Sequence, residues 1–272
     1  MVRLGLLGLI RRWILWRISG IRYFLSRSNQ SLVIVTGANH NHFESLKQFV
    51  ASATKCEPSS KLIVFDLGLT SSQLIELRRL TETKPLVEIR EFFFKNYPPH
   101  MNIEFNAGEY AWKPVIISEI CSQSDEFVLW CDSGNIIDKR LSWIRRMVQR
   151  DGIYCPYSSG TVKDWTHPGM LRFLRIDDKY RSRQNLNAAV ICFNPREPNI
   201  AKLLFDWKSC ALNVDCISPT GSSRINHRQD QAALTAIAIR NGVIKANRPR
   251  YINQIWEPLG LRIQCDVVSE KE

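Results

Sequence analysis

One carboxylate stands directly after an apolar run near the middle of the chain. The run Phe127–Cys131 has the composition of a buried strand, and Asp132, Ser133 and Gly134 follow it. A carboxylate at a strand end can hold Mg²⁺ or Mn²⁺ against phosphate oxygens, and small neighbours let a phosphate or a sugar approach the backbone. The alternative is that Asp132 only caps the following turn.

A second polar cluster, residues 226–231, has the sequence Asn-His-Arg-Gln-Asp-Gln and precedes an apolar helical pattern. The N-terminus of a helix favours anions, so this cluster could contact sugar hydroxyls or complete a metal site. Helix capping accounts for one or two of these side chains but not for all of them. The candidate residues are His227, Arg228, Asp230 and Gln231.

Aromatic residues lie next to a cation in the segment Tyr-Ala-Trp-Lys-Pro, residues 110–114. Such a segment suits a base or a sugar that stacks beside a phosphate, with Lys113 as the cation. The alternative is a core tryptophan next to a solvated lysine. The polar loop at residues 164–169 contains Trp165, which could stack on an acceptor sugar.

The first predicted strand and the turn after it do not match either of two common nucleotide-binding loops, the dinucleotide-binding turn and the P-loop. Residues 33–38, Val-Ile-Val-Thr-Gly-Ala, resemble the start of a dinucleotide-binding turn, but residues 39–42 contain no further glycine. This argues against a dehydrogenase, and the glycine-rich loop of P-loop enzymes is missing as well. His40 and His42 with Glu44 could bind a metal, although histidines at such a turn more often cap the helix or contact a ligand.

Short apolar runs alternate with helical patterns along most of the chain. The predicted strands are residues 32–35, 62–65, 86–89, 127–131, 188–193 and 243–246. The predicted helices are residues 42–54, 114–121, 200–207 and 229–240, with a further helix after a capping box at residues 70–73. This alternation predicts an α/β fold with a mostly parallel, twisted sheet and helices on both faces.

The ligands of such a sheet bind at the edge where parallel strands end and the next helices begin. Four polar residues each follow a predicted strand, and two others each begin a predicted helix. We therefore expect six side chains along one edge of the sheet: Thr36, Asp66, Lys113, Asp132, Asn194 and Asp230. The functional site is predicted at that edge.

The charge of the chain indicates an anionic partner. There are 37 Lys and Arg residues against 26 Asp and Glu residues, a net charge of +11 over 272 residues. This surplus favours a nucleotide diphosphate, an acidic acceptor, a phospholipid surface or a nucleic acid. No nucleic-acid-binding module is recognisable, so nucleic acid ranks last and is not expected as a partner.

The eight cysteines do not form a zinc-binding pattern, because no Cys-x-x-Cys pair is present. Cys131 and Cys192 lie in apolar runs, where a thiol usually behaves as a small buried hydrophobic group. Cys210 and Cys216 are close enough in sequence to bridge in an oxidising compartment. The pattern leaves the compartment open.

The first thirty residues carry an apolar helical stripe flanked by arginines. The stripe consists of Leu7, Ile10, Ile14, Ile18, Ile21 and Leu25. Arginines interrupt it too often for a membrane span or for the core of a cleavable signal peptide. We predict a basic amphipathic helix in residues 1–25 that binds an anionic membrane surface peripherally; the alternative is a helix that packs on the domain. A polar linker then separates residues 1–30 from a domain over residues 31–272.

Three motifs occur in order: Ala-Trp-Lys-Pro at residues 111–114, Trp-Cys-Asp-Ser-Gly at residues 130–134 and His-Arg-Gln-Asp-Gln at residues 227–231. Together they resemble GT-A-fold glycosyltransferases, in particular a family that carries Trp-Lys-Pro, Trp-x-Asp-Ser and His-Arg-x-Asp-Gln motifs. The resemblance covers roughly residues 32–240. It implies a GT-A-like fold and a hexosyltransferase-like enzyme that moves a sugar from a nucleotide-sugar donor to a glycan, lipid-linked or protein acceptor.

The resemblance also implies roles for individual residues. The catalytic positions would be His227, Asp230 and Gln231, with Asp230 as the base if the reaction inverts configuration. The donor would be bound by Thr36, Lys113, Asp132, Ser133, Gly134 and Arg228. A Mn²⁺ or Mg²⁺ ion on the diphosphate would be held by Asp132 and His227.

This sequence departs from the family pattern at Gly134, where better-known relatives carry a second metal-binding aspartate. Metal binding would then be weak, would recruit His227, or would be absent, with Lys113 and Arg228 balancing the charge of the diphosphate instead. Activity could accordingly be low or lost. The alternative function is a non-catalytic sugar- or nucleotide-binding domain of the same fold.

Overall fold

Residues 30–243 and 261–263 are described by a computed structural model. The predicted amphipathic helix in residues 1–25 and residues 244–246 of the last predicted strand lie outside this part of the chain. Val243, which should begin that strand, is not in one. No helix in the described ranges is long and apolar enough to cross a bilayer.

The described strands form one large sheet and two small ones. They are β1 (Leu32–Ala38), β2 (Lys61–Asp66), β3 (Val87–Glu91), β4 (Phe127–Cys131), β5 (Asn135–Ile137), β6 (Ile153–Tyr154), β7 (Tyr157–Thr161), β8 (Gln184–Leu186), β9 (Val190–Phe193) and β10 (Leu261–Ile263). The large sheet has the order β3-β2-β1-β4-β9-β6. Its first four strands are parallel. The pairs β5–β10 and β7–β8 are antiparallel.

Helices connect these strands and cover the sheet. They are α1 (Phe43–Cys56), α2 (Ser71–Thr81), α3 (Trp112–Ser122), α4 (Ser142–Asp151), α5 (Val162–Trp165), α6 (Pro168–Phe173), α7 (Pro198–Ala211), α8 (Val214–Ile217) and α9 (Gln229–Arg240). Three of them, α1, α2 and α3, follow β1, β2 and β3 in turn, which is the strand–helix alternation of a parallel sheet.

Alternate residues of β1 pack on opposite faces of the sheet. Val33 and Val35 join the apolar core formed with α3, α7 and α9, whereas Leu32 and Ile34 join the core formed with α1 and α4. All seven residues of β1 are buried, as expected for a parallel strand with helices on both sides. The predicted α/β fold, with a mostly parallel sheet and helices on both faces, is therefore confirmed.

Strong local patterns produced elements at the predicted positions. The bounds of β4 and α9 agree with the predicted residues 127–131 and 229–240. The predicted capping box is also present: the Thr70 hydroxyl accepts from the Gln73 N–H at 3.2 Å, and the Gln73 side chain accepts from the Thr70 N–H at 3.0 Å.

The strand β9 runs antiparallel to β4, so that Cys131 pairs with Val190. Asn194 therefore lies at the opposite edge of the sheet from Asp132, and the prediction that it shares the site is wrong. An apolar run does not reveal the direction of its strand. The start of β9 borders the site instead, where the Asp132 N–H donates to the Ala189 carbonyl at 2.8 Å.

A buried ion pair joins the end of α1 to α4. Arg145 donates from both terminal nitrogens to the two carboxylate oxygens of Glu57, each at 2.7 Å. Burial alone would raise the pKa of Glu57, but the bonds from Arg145 and from the Leu141 N–H outweigh it and hold that pKa below its usual value. The pair therefore fixes α4 to the end of α1, and neither residue belongs to the predicted site.

A disulfide between Cys210 and Cys216 ties the end of α7 to α8, with the two Cα atoms 5.2 Å apart. This is the pair that the spacing allowed. Five other cysteines of the described ranges are not in a disulfide: Cys56, Cys121, Cys131, Cys155 and Cys192. The bridge fixes the chain immediately ahead of residues 218–228, which we call the arginine loop and which lead into α9.

Candidate functional site

A buried lysine lies between two carboxylates at the edge where the parallel strands end. Lys113 Nζ is 2.9 Å from Asp132 Oδ1 and 3.3 Å from Asp230 Oδ2, and only 5% of its side chain is exposed. Lys113 is in the first turn of α3, Asp132 directly follows β4, and Asp230 is in the first turn of α9. The fold thus joins one residue from each of the three sequence motifs.

The charges of this group depend on one another. Burial alone would lower the pKa of Lys113, but the Asp132 and Asp230 carboxylates outweigh it and raise that pKa above its usual value. Burial also raises the pKa of Asp230, and the charge of Asp132 adds to the increase, whereas Lys113 opposes it. Lys113 is therefore a permanent cation, and it is the group that allows Asp230 to ionise.

Asp132 is on the solvent side of this group. Its side chain is 41% exposed, whereas that of Asp230 is 8% exposed. The indole N–H of Trp130 donates to Asp132 Oδ1 at 2.6 Å, and the same oxygen contacts Lys113. Trp130 is fully buried, so it holds the carboxylate in one orientation. Asp230 lies behind Lys113, where it steadies the ammonium from the protein interior.

The lysine and Asp132 open onto a cleft of about 340 Å³. Its wall comes from the ends of β1 and β4, the turn before α3 and the start of β9: Gly37, Ala38, Asn39, His42, Leu67, Ile103, Ala107, Tyr110, Trp112, Lys113, Asp132, Ser133, Gly134, Asn135 and Ala189. This volume is at the lower end of the range for small-molecule sites. The cleft has the predicted place, at the ends of the parallel strands.

Five consecutive residues in front of α3, residues 106–110, adopt left-handed backbone conformations, with φ from 49° to 59°. This conformation costs roughly 1–2 kcal/mol for each residue other than glycine, and such strain is concentrated at functional sites. The Trp112 indole N–H closes the turn on the Ala107 carbonyl at 3.1 Å. As a result Ala107 and Tyr110 form part of the cleft wall.

Two substitutions in this left-handed turn are expected to change stability in different ways. A Cβ atom at Gly108 would lie 2.3 Å from the Met101 carbonyl oxygen, so Gly108→Ala is expected to lower the free energy of unfolding by about 2 kcal/mol or more. Ala107 has a φ of 53°, and glycine removes that strain, so Ala107→Gly is expected to be neutral or up to about 1 kcal/mol stabilising. Urea unfolding measures both, and equal destabilisation would contradict the left-handed turn.

Some of the other predicted site residues line the cleft and others lie outside its wall. Ser133 and Gly134 line the cleft. Thr36 is inside β1 rather than after it, is not among the cleft-lining residues, and has a buried hydroxyl without a hydrogen-bond partner among the described residues. Asp66 ends β2 at the same edge, where its carboxylate accepts two backbone N–H groups of the next turn. Gln231 is half-buried and accepts from the Ala188 N–H at 3.5 Å.

His227 has a structural position in the described part of the chain. Its Nε2 donates to the Ile217 carbonyl at 2.9 Å, and its Nδ1 accepts from the His167 N–H at 3.2 Å. Burial lowers the pKa of His227, which keeps the ring neutral. With both ring nitrogens bonded to the backbone, the geometry does not support the predicted catalytic or metal-binding role. Arg228, a predicted donor residue, is likewise not among the cleft-lining residues.

The residues around Asp132 do not fit a divalent cation held by the protein. Mn²⁺ and Mg²⁺ take several oxygen ligands, usually including carboxylates. Asp132 offers one carboxylate, its Oδ1 is already bonded to Lys113 and Trp130, and the adjacent ammonium would repel a second cation. The described ranges contain no group of three His, Cys, Asp and Glu side chains that could hold a metal. Lys113 supplies the positive charge at this place.

Two cleft residues were missed by the sequence reasoning. Asn39 directly follows β1 and Asn135 begins β5, and both line the cleft. Their amide oxygens are buried and have no hydrogen-bond partner among the described residues. A buried acceptor without a donor indicates a bound water or ligand group. The position of Asn39 after the first strand was the available signal for it.

Comparisons with known proteins support the fold. Residues 22–118 match the sequence model of a family described as a protein of unknown function (DUF1647). No curated protein matches the chain. Among solved structures, the galactosyltransferase LgtC, in a complex with donor and acceptor sugar analogues, is similar with a TM-score of 0.50 and 16% identity over 85% of this chain and 86% of LgtC.

Two further solved structures are similar. The bifunctional glycosyltransferase WbbM has a TM-score of 0.48 and 17% identity over 74% of this chain, which spans only 39% of WbbM. Mouse xyloside xylosyltransferase 1 has a TM-score of 0.47 and 9% identity over 79% of this chain and 83% of the enzyme. At these identities, the likeness to LgtC establishes the fold alone, and that fold is GT-A-like.

Proposed function

We propose that the chain is a glycosyltransferase that moves a sugar from a nucleotide-diphosphate donor to a glycan, lipid-linked or protein acceptor. The observation that carries this proposal is the Lys113 ammonium, held between Asp132 and Asp230 in the wall of the cleft. The GT-A-like fold and the likeness to glycosyltransferases support it at the general level. The hexose class of the donor follows only from the sequence resemblance and is proposed with it.

The chemistry assigned to this cleft is charge stabilisation of a leaving diphosphate. When the bond from the sugar carbon to the diphosphate breaks, negative charge grows on the leaving oxygen. A fixed cation in a largely buried site stabilises that charge without reorganisation. Lys113 is such a cation, and Asp132 holds it at the cleft wall. If the reaction inverts configuration, Asp230 would take the proton of the acceptor hydroxyl, and burial, which raises the pKa of Asp230, makes it a stronger base than an exposed aspartate.

The buried amide oxygens of the cleft support a role in binding the donor. Asn39 and Asn135 each present an acceptor without a partner among the described residues. Sugar hydroxyls and the N–H groups of a base are donors that could satisfy them. Ser133 and Gly134 are small and line the same wall, so a phosphate or sugar can come close to the backbone. We therefore assign these four residues and Lys113 to the donor site.

The experiment that tests the proposed function is hydrolysis of UDP-, GDP- and CMP-sugars by the full chain, with EDTA or with added Mn²⁺. We expect turnover of a diphosphate donor and little change with either addition, because Lys113 carries the positive charge. Strict dependence on Mn²⁺ would contradict the role of Lys113. Donor binding without turnover would support the alternative, a non-catalytic domain, which the substitution of Gly134 for an aspartate favours.

We also propose where the protein is located in the cell. The Cys210–Cys216 disulfide favours an oxidising compartment, because disulfides are rare in reducing ones. The basic amphipathic pattern in residues 1–25 favours peripheral attachment to an anionic membrane surface. We therefore propose a membrane-associated enzyme of an oxidising compartment, in keeping with glycan biosynthesis.

A further inference from the structure

Two arginines of the arginine loop lie against aromatic rings. The Arg224 guanidinium carbon is 5.3 Å from the centroid of the Tyr110 ring, and its Nη1 donates to the Tyr110 hydroxyl at 2.5 Å. The Arg228 guanidinium carbon is 4.2 Å from the centroid of the Trp165 ring. In the part of the chain that the structure describes, neither guanidinium is paired with a carboxylate.

Most N–H groups of the two guanidinium groups have no hydrogen-bond partner among the described residues. Arg224 uses Nη1 on the Tyr110 hydroxyl, and the Arg228 guanidinium makes no hydrogen bond there. An arginine that stacks on a ring uses its flat face, while its N–H groups point outward in the plane. Those N–H groups match the two oxygens of a carboxylate, a sulfate or a phosphate, and such paired bonds are stronger than neutral ones. An arginine that is stacked but lacks an acid partner is therefore prepared for an anion from outside the chain.

Arg224 is next to the cleft. The Tyr110 ring lines the cleft and lies 5.7 Å from Lys113 Nζ as well as 5.3 Å from the Arg224 guanidinium carbon. The two cations are therefore at most about 11 Å apart. Lys113 already has two carboxylate partners, whereas Arg224 has none among the described residues. Arg224 therefore adds a second positive charge beside the cleft, and no carboxylate of the described residues pairs with it.

The arginine loop is held in one conformation by its neighbours. The two backbone bonds of His227 connect it to Ile217 and to His167. The Arg228 N–H donates to the Trp165 carbonyl at 3.0 Å, which fixes the backbone of the arginine beside the ring that it covers. The disulfide anchors the start of the loop. A loop that is ordered before binding loses less entropy when a ligand arrives.

We propose that Arg224 and Arg228, stacked on Tyr110 and Trp165, bind an anionic group on the acceptor: a carboxylate, a sulfate or a phosphate. This inference rests on the proposed function, because it places the acceptor beside the donor cleft. It adds the chemical class of the acceptor, which is an acidic glycan or a phosphorylated acceptor.

The test is binding of the full chain to arrayed oligosaccharides without any donor. Each neutral oligosaccharide is matched with forms that carry a uronic acid, a sulfate or a phosphate. We expect the parent to prefer one or more anionic forms, and Arg224→Gln to weaken that binding about tenfold or more. Arg79→Gln, an equal loss of charge on the exposed face of α2, is the control and should bind as the parent does.

Each outcome separates this inference from the proposed function. Equal binding of neutral and anionic forms, no binding at all, or equal losses in Arg224→Gln and Arg79→Gln would overturn the anionic acceptor site. Donor hydrolysis is measured separately on the same parent protein. Hydrolysis without an anionic preference would overturn this inference alone, whereas an anionic preference without hydrolysis would overturn the transferase and leave an acidic-glycan-binding site. The anionic form that binds most strongly identifies which acidic group, a uronic acid, a sulfate or a phosphate, the acceptor carries.

Discussion

Replacing Lys113 by methionine is expected to abolish donor turnover and to lower the stability of the fold. Methionine keeps most of the side-chain volume but removes the ammonium that lies 2.9 Å from Asp132 and 3.3 Å from Asp230. The loss of a fixed charge at the leaving diphosphate is expected to reduce kcat about 100-fold or more. The carboxylate left without its partner in the interior is expected to lower the free energy of unfolding by about 3 kcal/mol.

The stability loss of Lys113→Met is expected to depend on pH. Burial already raises the pKa of Asp230, and removal of the opposing Lys113 charge raises it further. A carboxyl that binds its proton more tightly in the folded than in the unfolded chain contributes stability below its unfolded pKa and loses that contribution as the pH rises through its folded pKa. Urea unfolding should therefore show a larger deficit at about pH 8 than at about pH 5.

A double variant separates the two effects of Lys113. Lys113→Met combined with Asp230→Asn removes both the ammonium and the buried carboxylate that depends on it. We expect this protein to regain much of the lost stability, with little remaining pH dependence, and to stay inactive. Turnover by Lys113→Met within about threefold of the parent would remove Lys113 from the mechanism, since an electrostatic role predicts a far larger loss.

The sequence was sufficient to predict the parallel strands of the sheet and the helices between them. Each of these elements can be recognised from its own residues alone. The run Phe127–Cys131 is apolar throughout, and the capping box at Thr70 marks a helix start without reference to any other part of the chain. The direction of β9 could not be predicted in this way. An apolar strand has the same composition in either direction, and the long connection from β4 to β9 left both open.

The geometry of the site depends on contacts between residues that are far apart in the sequence. The placement of Lys113, Asp132 and Asp230 at strand ends and helix starts predicted that they share one edge of the sheet, and the structure brings them together. That the ammonium would lie between both carboxylates could not be predicted, because it depends on packing distances between α3, β4 and α9. The same limit explains His227, which looks like a ligand in sequence and is bonded to backbone on both sides in the fold.

The left-handed turn was the least predictable part of the cleft. Among residues 106–110 only Gly108 has a clear preference for this conformation, and Asn106 tolerates it. The other three residues adopt it because tertiary contacts compensate for the strain, such as the bond from Trp112 to Ala107. Local sequence signals therefore predict a left-handed residue at Gly108, but they do not predict that the turn extends over five residues.

Asp132→Asn is expected to reduce donor turnover about 100-fold while the free energy of unfolding stays within about 1 kcal/mol of the parent. Asparagine keeps the shape of the side chain and an oxygen that can accept from Trp130 and Lys113. It removes the negative charge on the exposed side of the ammonium, so the charge of Asp230 draws Lys113 toward the interior and away from the cleft. Stability changes little because 41% of the Asp132 side chain is in contact with solvent.

The measurement is donor hydrolysis by the parent and by Asp132→Asn across a Mn²⁺ titration, with a melting curve for each. Asp125→Asn is the matched control, because Asp125 is an exposed aspartate near the opposite end of β4 and its substitution should leave turnover unchanged. If Asp132 only caps the turn, asparagine should serve as well, since both residues are good caps. If Asp132 instead binds a divalent ion, the loss should shrink as Mn²⁺ is raised. A loss of turnover that is independent of Mn²⁺, with an unchanged melting temperature, is the result that the placement of Lys113 requires.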